Sequence, residues 1–331
     1  MSWRRLGLLA LWYATLVEPA RAQPGPSPSI AYAGTCDASA AVALDRDLFV
    51  VASDEDNVLW VYRRGQGGGP VASFLMDEFL DLEPQHRETD IEGAARIGDR
   101  IYWITSHGRN KEGKKRPNRR RLFATEVKEV DGRIDISGIG SPYKNLLDDL
   151  NRTPALRPFD LGKAAMGAPE AKGGLNIEGL AATPQGHLLI AFRNPIPDGR
   201  ALLVPLENPD EVIRGRRARL GRPITLSLGG RGVRSIEARP GGGSYLIVAG
   251  HHDNRPDFRL YRWSGNPDAA PERIKGVDFG DLKPEALFFD PEGDRASVQV
   301  LSDDGGRTIE GRDCKDLDAI RRRFRGTKVI P

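Results

Sequence analysis

Carboxylates recur in this chain in one setting. Asp90-Ile-Glu-Gly-Ala-Ala, Asn176-Ile-Glu-Gly-Leu-Ala and Ser235-Ile-Glu-Ala repeat a single motif, with weaker copies at Thr35-Cys-Asp-Ala-Ser-Ala and Lys283-Pro-Glu-Ala-Leu. The acids are Asp37, Glu92, Glu178, Glu237 and Glu285, joined by Asp90 two residues before Glu92. Gathered in one place they would be an all-oxygen donor set. Two carboxylates about 6 Å apart repel by roughly 3 kcal/mol at an effective dielectric near 20. Such a group must therefore protonate, pair with Lys283, His107, Arg109, Arg193 or His251, or hold a cation. Ca²⁺, which takes about 6–8 oxygens, suits the set. Zn²⁺ suits it less, because no His/Cys ligand spacing is present. The same acids also have a purely structural use, accepting backbone N–H groups from neighbouring strands.

The elements around the acids explain how they would be gathered. Each copy is followed by a turn and a β-rich run: Leu48–Ala52, Ile101–Thr105, Leu188–Phe192, Tyr245–Ala249 or Ser297–Leu301. A polar loop leads to a third run (Val58–Tyr62, Leu122–Val127, Ala201–Leu206, Phe258–Trp263, Phe324–Ile330), and in most copies a fourth follows. Four antiparallel strands per repeat make a propeller blade. The fifth copy lacks a fourth strand, and Ser29-Ile-Ala-Tyr-Ala before the first repeat has the character of the missing one. The sequence thus predicts an all-β, five-bladed β-propeller closed by an N-terminal strand. The motif acids are spaced by 55, 86, 59 and 48 residues. Only the second interval could hide a sixth blade, the fallback; its excess, near 141–174, reads as a helical turn and loop inserted in the domain.

In an antiparallel hairpin, the start of one strand and the end of the next share an edge. The motif acids and the polar loops Ser53-Asp-Glu-Asp-Asn, Ser106-His-Gly-Arg-Asn, Arg193-Asn-Pro, Gly250-His-His-Asp-Asn and Ser302-Asp-Asp-Gly are therefore expected on one face, around a central channel. His107, Arg109 and Arg193 are the residues there that could serve catalysis. Lys111–Arg121, dense in Lys and Arg, could form an anion funnel on the same face. It lacks interleaved aromatics, which argues against nucleic acid.

Arg4 and Arg5, an apolar run from Leu6 to Val17 and Ala20-Arg21-Ala22 read as a signal peptide over residues 1–22. Its removal takes Arg4, Arg5, Arg21 and Glu18 and lowers the net charge from +3 to +1, so bulk charge predicts no partner. The remaining 23–331 is expected to be one exported propeller domain, periplasmic or extracellular, with no membrane span. Cys36 and Cys314 are the only cysteines and in an exported chain are expected to pair. Both fall on the motif face, in first and fifth repeats that a five-membered ring makes neighbours. No Gly-x-Ser-x-Gly elbow, His-Glu-x-x-His helix or P-loop is present.

The run Cys-Asp-Ala-Ser-Ala-Ala, Asp-Ile-Glu-Gly-Ala-Ala, Thr-Ser-His-Gly-Arg-Asn, Arg-Pro-Asn-Arg-Arg-Arg-Leu-Phe-Ala, Asn-Ile-Glu-Gly-Leu-Ala and Arg-Asn-Pro resembles a bacterial exported family known as a domain of unknown function. The Ile-Glu-Gly repeat is distantly similar to the esterase-like phytase propellers. That likeness implies a fold and a metal such as Ca²⁺, no organic cofactor, and no catalytic assignment. Two functions stay open. One is a module binding a small anionic ligand or an extracellular protein. The other is a metal-dependent ester or phosphoester hydrolase, with the cation on the motif acids, His107 as acid or base, and Arg109 and Arg193 on the substrate anion.

Overall fold

In the computed structural model, residues 28–290 and 297–331 are described. The leader segment expected at 1–22 lies outside them. Five four-stranded antiparallel sheets form the blades of a β-propeller. Blade 1 runs Ala40–Ala43, Leu48–Ala52, Val58–Arg63 and Ala72–Leu75; blade 2 runs Ile91–Ile97, Arg100–Thr105, Leu122–Val130 and Arg133–Tyr143. Blade 3 comprises Asn176–Ala182, Leu188–Asn194, Ala201–Leu206 and Ile224–Leu226; blade 4 comprises Gly232–Ala238, Tyr245–Gly250, Arg259–Trp263 and Glu272–Arg273. Blade 5 takes Pro284–Phe289, Val298–Ser302 and Arg323–Val329 from the end of the chain and Ile30–Ala33 from its start. The register runs from Ile30 opposite Gly326 to Ala33 opposite Arg323. The expected closure is therefore present, and it covers the outer edge that Arg323–Val329 would otherwise expose.

The blades are held by apolar side chains packed between adjacent sheets. Second strands such as Leu188–Asn194 are buried along their length, as expected for a strand covered on both faces. At the seam between blades 5 and 1, Tyr32 stacks on Phe324 with ring centroids 5.1 Å apart, and Phe49 stacks on Phe288 at 5.1 Å. The disulfide Cys36–Cys314 spans the same seam, with Cα atoms 5.8 Å apart. It closes a loop of 278 residues, for which chain entropy alone gives about 5 kcal/mol of stabilisation.

The interval between the second and third repeats adds no blade. It holds the helix Leu146–Arg152, the 3-10 turn Pro154–Phe159 and the short helix Leu161–Ala164. Leu146, Leu150, Leu156 and Leu161 pack on the core of blades 2 and 3. Among the described residues, no helix is long and apolar enough to cross a membrane.

The glycine of the motif has a steric reason. A Cβ on Gly93 would lie 3.0 Å from the Leu180 amide nitrogen, and one on Gly179 would meet Ala191 and Ile236 at 2.9 Å. Glycine here lets adjacent inner strands approach closely around the channel.

Candidate site at the channel mouth

The inner strands open with a β-bulge that aims one side chain into the channel. The pairing skips Glu92 between Ile91 and Gly93, Glu178 between Ile177 and Gly179, and Glu285 between Pro284 and Ala286. In blade 4 the skipped residue is Arg234, between Val233 and Ser235. This corrects the alignment read from the sequence, which placed Glu237 beside Glu92 and Glu178. Glu237 pairs opposite Leu246, three residues further along, which at about 3.3 Å per residue is roughly 10 Å from the bulge. Val233-Arg234-Ser235 has the same order of apolar, charged and small residues as Ile91-Glu92-Gly93. That order is the signal that could have located Arg234.

The bulges of blades 2, 3 and 5 and loops from all five blades converge on one cavity of about 610 Å³. Its wall carries eleven Asp and Glu side chains against six Lys and Arg. Asp37, Asp90, Glu92, Glu178, Glu285 and Arg193 are among them; Glu237, His107 and Arg109 are not.

One part of the wall is neutralised internally. Arg193 Nη1 lies 2.8 Å from Glu178 Oε1, and Arg193 also donates to the His251 carbonyl and the Asn254 side chain. Arg234 Nε lies 3.2 Å from Glu178 Oε2, and its Nη2 is paired with Glu285. Asn176 adds a 2.7 Å hydrogen bond to Glu178 Oε1. Glu178 and Arg234 are only 3 % and 5 % exposed, so these pairs are strongly coupled. Across the mouth, Arg119 Nη1 lies 2.9 Å from Asp90 Oδ2, and its Nη2 pairs with Glu88. Burial raises the Asp90 carboxyl and Arg119 draws it back, leaving it at about 6.

Among the described residues, the other part has no such ion pairs. The Gly305 amide donates to both Asp37 Oδ1 at 2.6 Å and Asp303 Oδ1 at 2.9 Å. Burial, then Asp54 and Asp303, push the Asp37 carboxyl up to about 12. Asp303 is held below the ordinary range: burial opposes ionisation, but a hydrogen bond from Asp37, the Gly305 amide and nearby Lys283 outweigh it. The two carboxylates thus meet at one backbone amide, with burial and mutual repulsion opposing ionisation of Asp37. Burial and then Asp303 raise Asp54 well above its usual value, and its Oδ1 is buried without a hydrogen-bond partner. Glu92 is half-buried on the cavity wall; burial, then Glu178 and Asp90, raise it well above the usual range.

The remaining predicted residues serve the scaffold. His107 is fully buried, its Nδ1 donating to the Thr105 carbonyl at 2.9 Å, and burial lowers its pKa to about 4. Arg109 donates to the carbonyls of Ala165 and Gly113. The expected anion funnel is largely spent on structure. Arg121 is buried against the carbonyls of Leu80, Asp81 and Pro117, Arg119 pairs with acids, and only Lys111, Arg116 and Arg119 of that run face the cavity. Asp54, Asp303, Glu88 and Arg234 belong to the site and were not singled out from the sequence, although Asp54 and Asp303 lie in the two loops expected on this face.

The cysteines bear on the site directly. Cys36 precedes Asp37, its carbonyl accepts the Asp304 amide at 3.0 Å, and Lys315 after Cys314 donates its amide to Gly305 at 3.2 Å. The disulfide thereby ties the Asp37 segment to the loop carrying Asp303.

Among the described residues, no three His, Cys, Asp or Glu side chains are arranged to enclose a metal ion.

Several solved propeller structures are similar in outline. Glutaminyl cyclase from Myxococcus xanthus shares 13 % identity over 93 % of this chain and 97 % of its own, with a TM-score of 0.43. A putative oxidoreductase (glucose dehydrogenase) from Thermus thermophilus shares 12 % over 91 % and 100 %, at 0.44. A luciferin-regenerating enzyme shares 8 % over 92 % and 96 %, at 0.43. Likeness at this level carries no argument about function. No curated protein matches the chain. Residues 37–135 and 139–302 match the family described as Protein of unknown function (DUF3616), and the chain belongs to that family.

Proposed function

We propose that this chain is an exported binding module whose channel mouth captures a positively charged ligand. The observation that supports the reading most is that Asp54 and Glu92 face one cavity with no ion pair among the described residues, beside Asp37 and Asp303, whose carboxylates meet at the Gly305 amide. Carboxylates kept from ionising by burial and by one another are relieved when a cation takes the place of their protons. The excess of acids over bases on the wall supports a cationic ligand over the small anionic one first expected. The disulfide is compatible with an oxidising compartment outside the cytoplasm.

The hydrolytic reading has less support. His107 and Arg109 stand outside the cavity, and Arg193 is engaged by Glu178, Asn254 and the His251 carbonyl, so the acid/base and two anion-binding roles lack free groups.

Melting curves with small cations and small anions at constant ionic strength test the proposal. A ligand selective for the native state stabilises it by mass action. Cations, Ca²⁺ included, should raise the melting temperature of the wild type, and an Asp54→Asn/Glu92→Gln double variant should lose the shift. Stabilisation by anions alone would defeat the reading.

A further inference from the structure

Resting on that reading, we infer that the ligand is a linear organic diamine or polyamine, with one ammonium beside Asp37, Asp54 and Asp303 and another beside Glu92 and Asn176.

Three observations carry this. The first is size: about 610 Å³ is the volume of a small-molecule pocket, and a single ion fills little of it. The second is the distribution of acids, which fall into two lobes. Asp37, Asp54 and Asp303 act on one another at the seam of blades 5 and 1, while Glu92 acts with Asp90 and Glu178 between blades 2 and 3. Asp54 is felt at Glu92 and joins the lobes. Charges spread in this way, without an enclosing set for a metal, match ammonium groups separated along a chain.

The third observation is independent of charge. Asn176 is 5 % exposed and lines the cavity, and its side-chain carbonyl oxygen has no hydrogen-bond partner. Asp54 Oδ1 is likewise buried and unpartnered. Buried acceptors left without donors are costly. An ammonium group brings three N–H donors and no acceptor, so it satisfies carboxylate and amide oxygens together. Of the wall's cations, Arg119 and Arg193 are paired with Asp90, Glu88 and Glu178, while Lys283 acts on Asp303 and an ammonium there would share that acid with it.

Titration calorimetry of the whole protein with spermidine, butylamine and CaCl₂ at one ionic strength decides the matter. Spermidine should bind at least about tenfold more tightly than either butylamine or Ca²⁺, and Asp54→Asn and Glu92→Gln should each weaken it about tenfold. Equal affinities for spermidine and butylamine would overturn the two-lobe arrangement. Ca²⁺ binding without amine binding would overturn this inference and leave the cationic mouth standing. Heat from none of the three would remove both. If a variant fails to fold, the wild-type comparison is sufficient by itself.

Discussion

The two sides of the channel mouth are built from the same motif and have opposite electrostatic fates. On the side of blades 3 to 5, Glu178 and Glu285 are clamped by Arg193 and Arg234. On the side of blades 1 and 2, joined by Asp303, the acids face one another, and Asp37, Asp54 and Glu92 are raised in pKa. Arg234 makes the difference, since it occupies the bulge of the intervening blade where an acid would complete the ring. A carboxylate in this fold is thus ion-paired or left facing other acids according to what the next blade offers it.

Removing the clamp should have the largest effect. Arg234→Met leaves Glu178 and Glu285 buried without their shared cation, and breaking a buried pair in this way costs about 3–5 kcal/mol. Urea unfolding should show that loss, and a loss below about 1 kcal/mol would mean that the two sides differ less than their geometry implies.

Glu92→Gln, at the equivalent bulge on the open side, should cost far less. Among the described residues Glu92 has no ion pair to lose, so the change should not destabilise the protein by more than about 1 kcal/mol in the same urea assay. A loss as large as that of Arg234→Met would erase the contrast.

The third test, read as a function of pH, uses Glu237, an acid outside both sides. Burial alone raises its carboxyl from 4.5 to about 8. A raised folded-state pKa gives stability that is fully present below about pH 4.5 and is lost as pH rises through 8. Glu237→Gln should therefore melt as wild type does near pH 4.5 and increasingly above it toward pH 9. Parallel melting curves across that range would show that Glu237 is solvated.

Much of the fold was legible because a blade repeats a local grammar. Strand, turn, strand and polar loop recur with the motif, so five blades, the closing strand Ile30–Ala33 and the neighbouring Cys36 and Cys314 followed from order along the chain. The site was legible only in part. The hairpin argument placed Asp37, Glu92, Glu178 and Glu285 on one face with the loops of Asp54 and Asp303. It could not place Arg234, because Ile236-Glu237 copies the letters of the motif while the bulge falls on Val233-Arg234. Bulge position is set by pairing with the second strand, which letters alone do not report. His107 and Arg109 misled for a related reason: their loop reaches the right face, but backbone carbonyls take their side chains.

The seam of blade 5 also governs the timing of assembly. Blades 1 to 4 each pair strands close in sequence, whereas Ile30 meets Gly326 and Ala33 meets Arg323. Contacts of such high sequence separation are slow to form. Ile30–Ala33 can therefore be seated only once Arg323–Val329 has been made, and until then Tyr32 lacks its stack on Phe324.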